Sequence, residues 1–176
     1  DVYKRQSIGG QTTHFLDSKY NPCGSSSGSA VAVASGLVDI AIGTETNGSI
    51  SCPSSINGII GFKPTVGLVS RSGIIPISSS QDTAGPMGKT LEIVAKTLEV
   101  ISGYDPNDKA TASIPEDFNY NFVDATNNRR LNGIRFGLLN ADNQHPQVIE
   151  FHNEIKAIVK KLGGEVIDIK DDRIYP

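Results

Sequence analysis

Two loops of serine and glycine, separated by one helix and one strand, constrain this chain more than any other feature of its sequence. The first loop reads GSSSG over residues 24–28, and the second reads TETNGS over residues 44–49. Between them, small residues over 28–37 predict a tightly packed helix, and VDIAIG over 38–43 predicts a short buried strand. The helix rises about 15 Å and the strand returns about 17 to 20 Å. The two loops are therefore expected to lie close together.

The first loop has three possible interpretations. Its composition is typical of a flexible linker, although the apolar helix directly behind it argues against one. It also matches G-x-S-x-G, the nucleophile elbow of esterases, with Ser26 at the centre. That motif needs an apolar strand before it and a histidine after it, but FLDSKYNPC precedes it, and His145 and His152 have the pattern of ordinary helix residues. The elbow interpretation is therefore poor.

The third interpretation joins the two loops at the N-terminus of the helix. Backbone N–H groups in glycine-rich turns bind a negative oxygen, and the helix dipole adds to that attraction. Ser49 would then lie within hydrogen-bond reach of Ser25 or Ser26. A nucleophile, a proton relay and an oxyanion hole are what acyl transfer requires.

Composition limits the classes of partner. The 176 residues suit one domain or a piece of a larger one, and the net charge of −3 is spread without a basic patch. Neither nucleic acid nor a membrane surface is expected as a partner. Cys23 and Cys52 fit no zinc or redox spacing, so they are expected to be free thiols, which favours a cytoplasmic location. No metal or other cofactor is predicted, and the oligomeric state is left open.

Apolar spacing predicts further elements along the chain. They are a strand over 57–64, extended loops over 65–88, a helix over 90–101, a surface loop over 105–130, a strand over 134–139, a helix over 148–162 and a strand over 165–170. Strands that alternate with helices predict an α/β fold with pairing that is parallel at least in part. The chain begins DVYKRQ, without methionine, and we interpret it as a fragment.

One continuous run carries a resemblance to a known family. It reads CGSSSGSAVAVASGLVDIAIGTETNGSISCPSSINGIIGFKPTVGLVSRSGIIPISSSQDTAGPM. The run is similar to the core of the amidase signature family, and the likeness extends from about residue 8 to 108. It implies the amidase signature fold, a mixed and largely parallel sheet covered by helices, of which residues 1–176 would be one partial domain. The implied activity is hydrolysis of a small-molecule amide by a stand-alone amidase.

The resemblance also implies roles for individual residues. The family uses a Ser–cis-Ser–Lys triad, a variant of triad logic. By position, Ser49 would be the nucleophile that becomes the acyl-enzyme, and Ser25, after a cis peptide bond, would pass the proton. Ser26 and Glu45 would support the site through hydrogen bonds. The oxyanion hole would be formed by the backbone N–H groups of Thr46, Asn47, Gly48 and Ser49.

The chain departs from the family pattern in two respects. The family commonly has glycine where this chain has Cys23, Ser27 and Asn47, and many members have arginine where it has Ser51. The family's catalytic lysine would lie before this chain, since Lys19 is too close to the first loop. Lys4 is too close as well, and Lys63 belongs to GFKPT, which we interpret as structural. The isolated fragment is therefore expected to be inactive and its full-length parent active.

Three alternatives stay open at this point. Within the family, the rival is the A subunit of the glutamine-dependent tRNA amidotransferase, although PISSSQDTAGPM is more like the stand-alone amidases. Outside it, the rivals are an elbow-type esterase that uses Ser26 and a non-catalytic binding domain. The segment SSSQDT, residues 78–83, lines the substrate site in one interpretation. In the other, Asp82 and Thr83 merely tie a turn together.

Overall fold

The computed structural model describes residues 10–127, 130–139 and 144–169. The chain divides into two compact units, residues 1–126 and 127–176. In chain order, the elements are α1 (Ser27–Ala34), β1 (Ile40–Glu45), α2 (Ser51–Ile56), β2 (Ile60–Gly61), β3 (Thr83–Gly88), α3 (Leu91–Ile101), a 3-10 helix (Lys109–Ser113), α4 (Phe122–Asn127), β4 (Arg135–Leu139), α5 (Pro146–Lys161) and β5 (Glu165–Ile169).

The first unit contains a three-stranded sheet with the order β1-β3-β2. Both outer strands pair with β3 in antiparallel register, Ile40 and Ile60 each opposite Gly88. The two outer strands therefore run in the same direction, as the alternation of strands and helices predicts, and β3 lies between them. The largely parallel sheet that we expected is thus a mixed one among the described residues, with parallel pairing found between β4 and β5.

The central strand β3 is buried along all six of its residues. Its sequence, TAGPMG, is typical of a turn, and the sequence predicted extended loops there. Glycine is required because the neighbouring chain comes close: a Cβ on Gly85 would lie 2.8 Å from the Cδ of Pro64. Pro86 is tolerated although it cannot donate a hydrogen bond, and its carbonyl accepts one from the N–H of Phe62 at 2.9 Å.

Two apolar clusters support the sheet. One contains Ala30 from α1, Ile50 and Met87, and it lies directly behind the second serine loop. The other packs Leu98 of α3 against Ala84 of β3, together with Val69. The helix α3 begins where the sequence predicts, because the Thr90 hydroxyl accepts a hydrogen bond from the N–H of Ile93 and caps it.

Close approach of α1 to β1 depends on Gly43. A Cβ at this position would lie 2.7 Å from the Sδ of Met87 and 3.0 Å from the Oγ of Ser26. Any side chain here would therefore push the first serine loop away from the strand that leads to the second. The glycine is part of what brings the two loops together.

The second unit is a β-α-β arrangement. β4 and β5 pair in parallel, with Arg135 opposite Glu165, and α5 connects them. The Nζ of Lys156 lies 2.5 Å from the Oδ1 of Asp168 and ties α5 to β5. His145 caps α5 by accepting from the N–H of Gln147, which agrees with its interpretation as an ordinary helix residue.

Three short helices were not predicted. α2 and α4 have six residues each, and the 3-10 helix has five, too few for an apolar period to be recognised. Two of them lie in the segment 105–130, which we expected to be a surface loop. Among the described residues, no helix combines the length and the apolar character that crossing a membrane demands.

Candidate active site

The two serine loops meet, as the helix and strand lengths predict. The N–H of Ser26 donates to the carbonyl oxygen of Ser49 at 3.1 Å. The peptide bond between Gly24 and Ser25 is cis, as the resemblance implies. Cys23, where the family commonly has glycine, has a φ of 60°, in the left-handed region that favours glycine.

Ser25 and Ser49, the predicted relay and nucleophile, are both partly buried. In the part of the chain that the structure describes, neither hydroxyl has a hydrogen-bond partner. Their backbones are therefore brought together, while the Ser25–Ser49 side-chain contact is not formed. No lysine of the described residues hydrogen-bonds to either serine, and Lys63 is exposed beside Pro64.

Ser26 has a structural position. Its Oγ donates to the carbonyl of Thr44 and accepts from the N–H of the same residue, at 3.1 Å in each case. Three residues on, the Ser29 hydroxyl donates to the carbonyl of Ile42 at 2.8 Å, so α1 is fastened to β1 at two points. No strand precedes Ser26 within residues 10–25, and the elbow geometry is therefore absent there.

Glu45 organises the second loop. Its side chain is only 6% exposed, and Oε2 accepts from the N–H groups of Ile50 at 2.7 Å and Ser51 at 2.9 Å. The Ser51 hydroxyl adds a third contact at 3.2 Å. Burial raises the pKa of this carboxyl, but N–H donors led by that of Ser51 lower it by more, so its pKa lies below the usual value. Glu45 is thus an ionised cap at the start of α2, directly after the nucleophile position.

The predicted oxyanion hole has three free donors. The backbone N–H groups of Thr46, Asn47 and Ser49 have no partner among the described residues. The fourth predicted donor, Gly48, differs: its N–H is directed to the Glu45 carboxylate and helps to keep it ionised. With a φ of 83°, Gly48 makes the turn that glycine favours. The chemistry of the loop is that of an anion-binding turn next to a serine.

Asp82 reaches this loop from the segment before β3. Its Oδ1 accepts from the Thr46 hydroxyl at 2.5 Å, and its Oδ2 accepts from the N–H groups of Ile77 and Ser78, both at 2.8 Å. The pKa of Asp82 is lowered, first by the Thr46 hydrogen bond. The prediction that Asp82 ties a turn is confirmed, whereas Thr83 is buried in β3. The link from Asp82 to Thr46 was missed, because 36 residues separate the two.

Arg71 and Asp108 form an ion pair that the sequence interpretation also missed. The Nη2 and Nε of Arg71 lie 2.7 and 2.8 Å from the two carboxylate oxygens of Asp108. The Nη1 of Arg71 donates to the carbonyl of Ser79 at 2.5 Å. The Arg71 hydrogen bond holds the pKa of Asp108 well below its usual value. A separation of 37 residues leaves no local pattern from which to predict the pair.

Cys23 and Cys52 form a disulfide bond, with their Cα atoms 5.9 Å apart. The prediction of two free thiols is therefore wrong. Their spacing in sequence matches no motif, since they meet only because α1 and β1 bring the chain back on itself. The bond joins the residue before Gly24 to the first turn of α2, so it links the two serine loops covalently.

Comparisons with known proteins agree with this geometry. A protein of Arabidopsis thaliana named "Probable amidase At4g34880" is 39% identical over 172 residues, which is 96% of this chain and 31% of that protein. The A subunit of the glutamyl-tRNA(Gln) amidotransferase of Synechococcus sp. is 37% identical over 172 residues, 93% of this chain and 34% of that protein.

Among solved structures, the native peptide amidase of Stenotrophomonas maltophilia is similar, with a TM-score of 0.84 and 44% identity. The match covers 96% of this chain and 37% of that one. The chain thus spans about a third of the length of the relatives that it matches. The family model described as Amidase matches residues 2–174. The chain belongs to the Amidase family, whose members carry the amidase signature.

Proposed function

We propose that the protein containing this chain hydrolyses amides through a seryl acyl-enzyme formed on Ser49. The observation that carries the proposal is the junction of the two serine loops: the Ser26–Ser49 backbone hydrogen bond places Ser49 beside the three unpartnered N–H groups of its own loop. A hydroxyl next to convergent backbone donors is the arrangement that acyl transfer needs.

The reaction would proceed in two halves. The substrate carbonyl oxygen binds to the N–H groups of Thr46, Asn47 and Ser49, and the Ser49 Oγ attacks the carbonyl carbon. Its proton passes through Ser25 to a base, for which the family resemblance implies a lysine. The carbon–nitrogen bond breaks, the leaving amine takes the proton, and an ester remains on Ser49. Water then attacks the ester, releasing the carboxylic acid and regenerating the hydroxyl.

The proposed substrate is a small-molecule carboxamide, and no nucleic acid or membrane partner is proposed. The alternative is the A subunit of a tRNA amidotransferase. Identity favours the stand-alone enzyme: it is 44% to the peptide amidase of S. maltophilia and 36% to the corresponding amidotransferase protein of Thermotoga maritima. The cytoplasmic location that we expected loses its argument, because that argument rested on free thiols.

The test uses the full-length protein and a fluorophosphonate probe, which reacts with activated serines. Peptide mass spectrometry is expected to find the label on Ser49, and a Ser25→Ala variant is expected to lose it. Release of ammonia or amine from a panel of carboxamides gives the activity. A label on Ser26 would favour the elbow-type esterase, and no label with no hydrolysis would favour a binding domain. Either result would overturn the proposal.

A further inference from the structure

We infer that Asp82 is a positioning residue that holds the first N–H donor of the oxyanion hole in place through the side chain of Thr46. The inference rests on the proposed function, because it concerns the geometry of the same hole. Asp82 itself does not touch the reacting atoms.

The contact with Thr46 is specific in its direction. The Thr46 hydroxyl donates to Oδ1 of Asp82, so the Thr46 side chain is turned away from its own loop and towards β3. Rotation about the Cα–Cβ bond of Thr46 is thereby fixed. Because the backbone N–H and the side chain are attached to the same Cα, fixing the side chain restricts the direction of the N–H.

The second carboxylate oxygen of Asp82 fastens this anchor to the fold. It accepts from two successive N–H groups, those of Ile77 and Ser78. The next carbonyl along that segment, at Ser79, accepts from Arg71, which is itself paired with Asp108. The Thr46 hydroxyl is thus tied to a segment that is held from both sides.

Charge favours this arrangement. The groups that face the Asp82 carboxylate are the Thr46 hydroxyl, the two N–H groups of residues 77 and 78 and, at longer range, the Arg71 guanidinium. All of them stabilise the ionised form, so the carboxylate remains an acceptor at neutral pH. A neutral residue at position 82 would not satisfy all three donors at once.

Small displacements of such donors matter for catalysis. An oxyanion hole acts on the charge that develops in the transition state, and the loss of one donor reduces kcat by about 10²–10³-fold. A donor that is merely less well held is expected to cost about tenfold. The substrate's ground-state binding would change little, because the carbonyl carries its full charge only in the transition state.

The experiment compares Thr46→Val with Thr46→Ser in the full-length protein. Valine keeps the shape and removes the hydroxyl, whereas serine keeps the hydroxyl. The control is Thr97→Val in α3, where the hydroxyl donates to the carbonyl of Ile93 at 2.8 Å and lies on a different element. The measurements are kcat, KM, the inhibition constant of a trifluoromethyl ketone that forms a tetrahedral adduct, and the melting temperature.

The expected result is that Thr46→Val lowers kcat about tenfold and weakens the ketone by a similar factor, with KM nearly unchanged. Thr46→Ser restores both, and Asp82→Asn behaves as Thr46→Val does. Thr97→Val leaves both unchanged. Wild-type kcat and ketone binding in Thr46→Val would overturn the inference, as would a loss of melting temperature without any change in kcat. If Ser49 in the wild type takes up no fluorophosphonate, the proposed function fails first, and the two failures are distinguished.

Discussion

The hydroxyl of Ser26 lies between the N–H and the carbonyl of Thr44, 3.1 Å from each. A side chain that both donates to and accepts from the same backbone residue takes the place of a ladder partner at the edge of β1. It therefore fastens the N-terminus of α1 to the strand that leads to Ser49. This position explains why three successive serines occur in the first loop without three catalytic roles.

We predict that Ser26→Ala destabilises the protein and leaves Ser49 reactive. The variant leaves two backbone groups of Thr44 without partners, which costs roughly 1 to 3 kcal/mol. Ser29→Ala is the matched control, because it removes a single donor from the same helix, and its effect is expected to be smaller. Denaturant unfolding gives the free energies, and fluorophosphonate labelling gives the reactivity. A stable Ser26→Ala protein without labelling would contradict the structural role.

Glu45→Gln is expected to cost more than its conservative appearance suggests. The glutamine amide would present N–H groups to the N–H donors of Ile50 and Ser51, which now bind a charged acceptor. The expected loss of unfolding free energy is about 2 to 3 kcal/mol, accompanied by a fall in activity as the loop loosens. Ser51→Ala, which removes only the 3.2 Å hydroxyl contact, serves as the control. Equal stability of the two variants would show that the carboxylate is not the organiser of the loop.

Reduction of the Cys23–Cys52 bond is expected to lower stability. The bond closes a loop with a sequence separation of 29, for which the chain-entropy model gives roughly 3.5 kcal/mol. Melting temperatures with and without a dithiol reductant measure the effect. The double variant Cys23→Ala/Cys52→Ala is the control, and it is expected not to respond to reductant. Intact-mass measurement of the untreated protein that finds two free thiols would refute the pairing.

Acid is expected to destabilise the protein partly through Asp108. Arg71 lowers the folded-state pKa of this carboxyl below its unfolded value of about 3.9, so its stabilising contribution is fully present above that pH. The contribution is lost as the pH falls towards the folded-state pKa. Asp108→Asn is therefore expected to lose stability at neutral pH and to show a smaller further loss between about pH 4 and pH 2.

Thermal unfolding across that pH range measures the difference between the two slopes. Glu92→Gln is the control, since Glu92 pairs with Lys96 on the exposed face of α3. Its pH slope is expected to stay close to that of the wild type. An Asp108→Asn protein with an unchanged slope would show that the Arg71 pair does not account for the acid sensitivity.

Local patterns were sufficient for the elements that surround the site. The small residues of α1, the apolar run of β1 and the capped amphipathic helix α3 were predicted to within a few residues, because each depends on side chains that are neighbours in sequence. The meeting of the two serine loops followed from element lengths alone. The cis peptide bond before Ser25 and the roles of Ser49 and Glu45 came from the family resemblance.

The remaining features depend on contacts between distant residues. β3 is a strand because Gly85 and Gly88 allow its neighbours to approach, although its composition is that of a turn. The pairing of Cys23 with Cys52 and the contact between Thr46 and Asp82 exist only once α1, β1 and β3 are packed together. The sequence by itself determined which residues carry the chemistry and which local elements present them. The tertiary structure decided which of those residues are paired, since hydrogen bonds and disulfides depend on distances in space that sequence separation does not set.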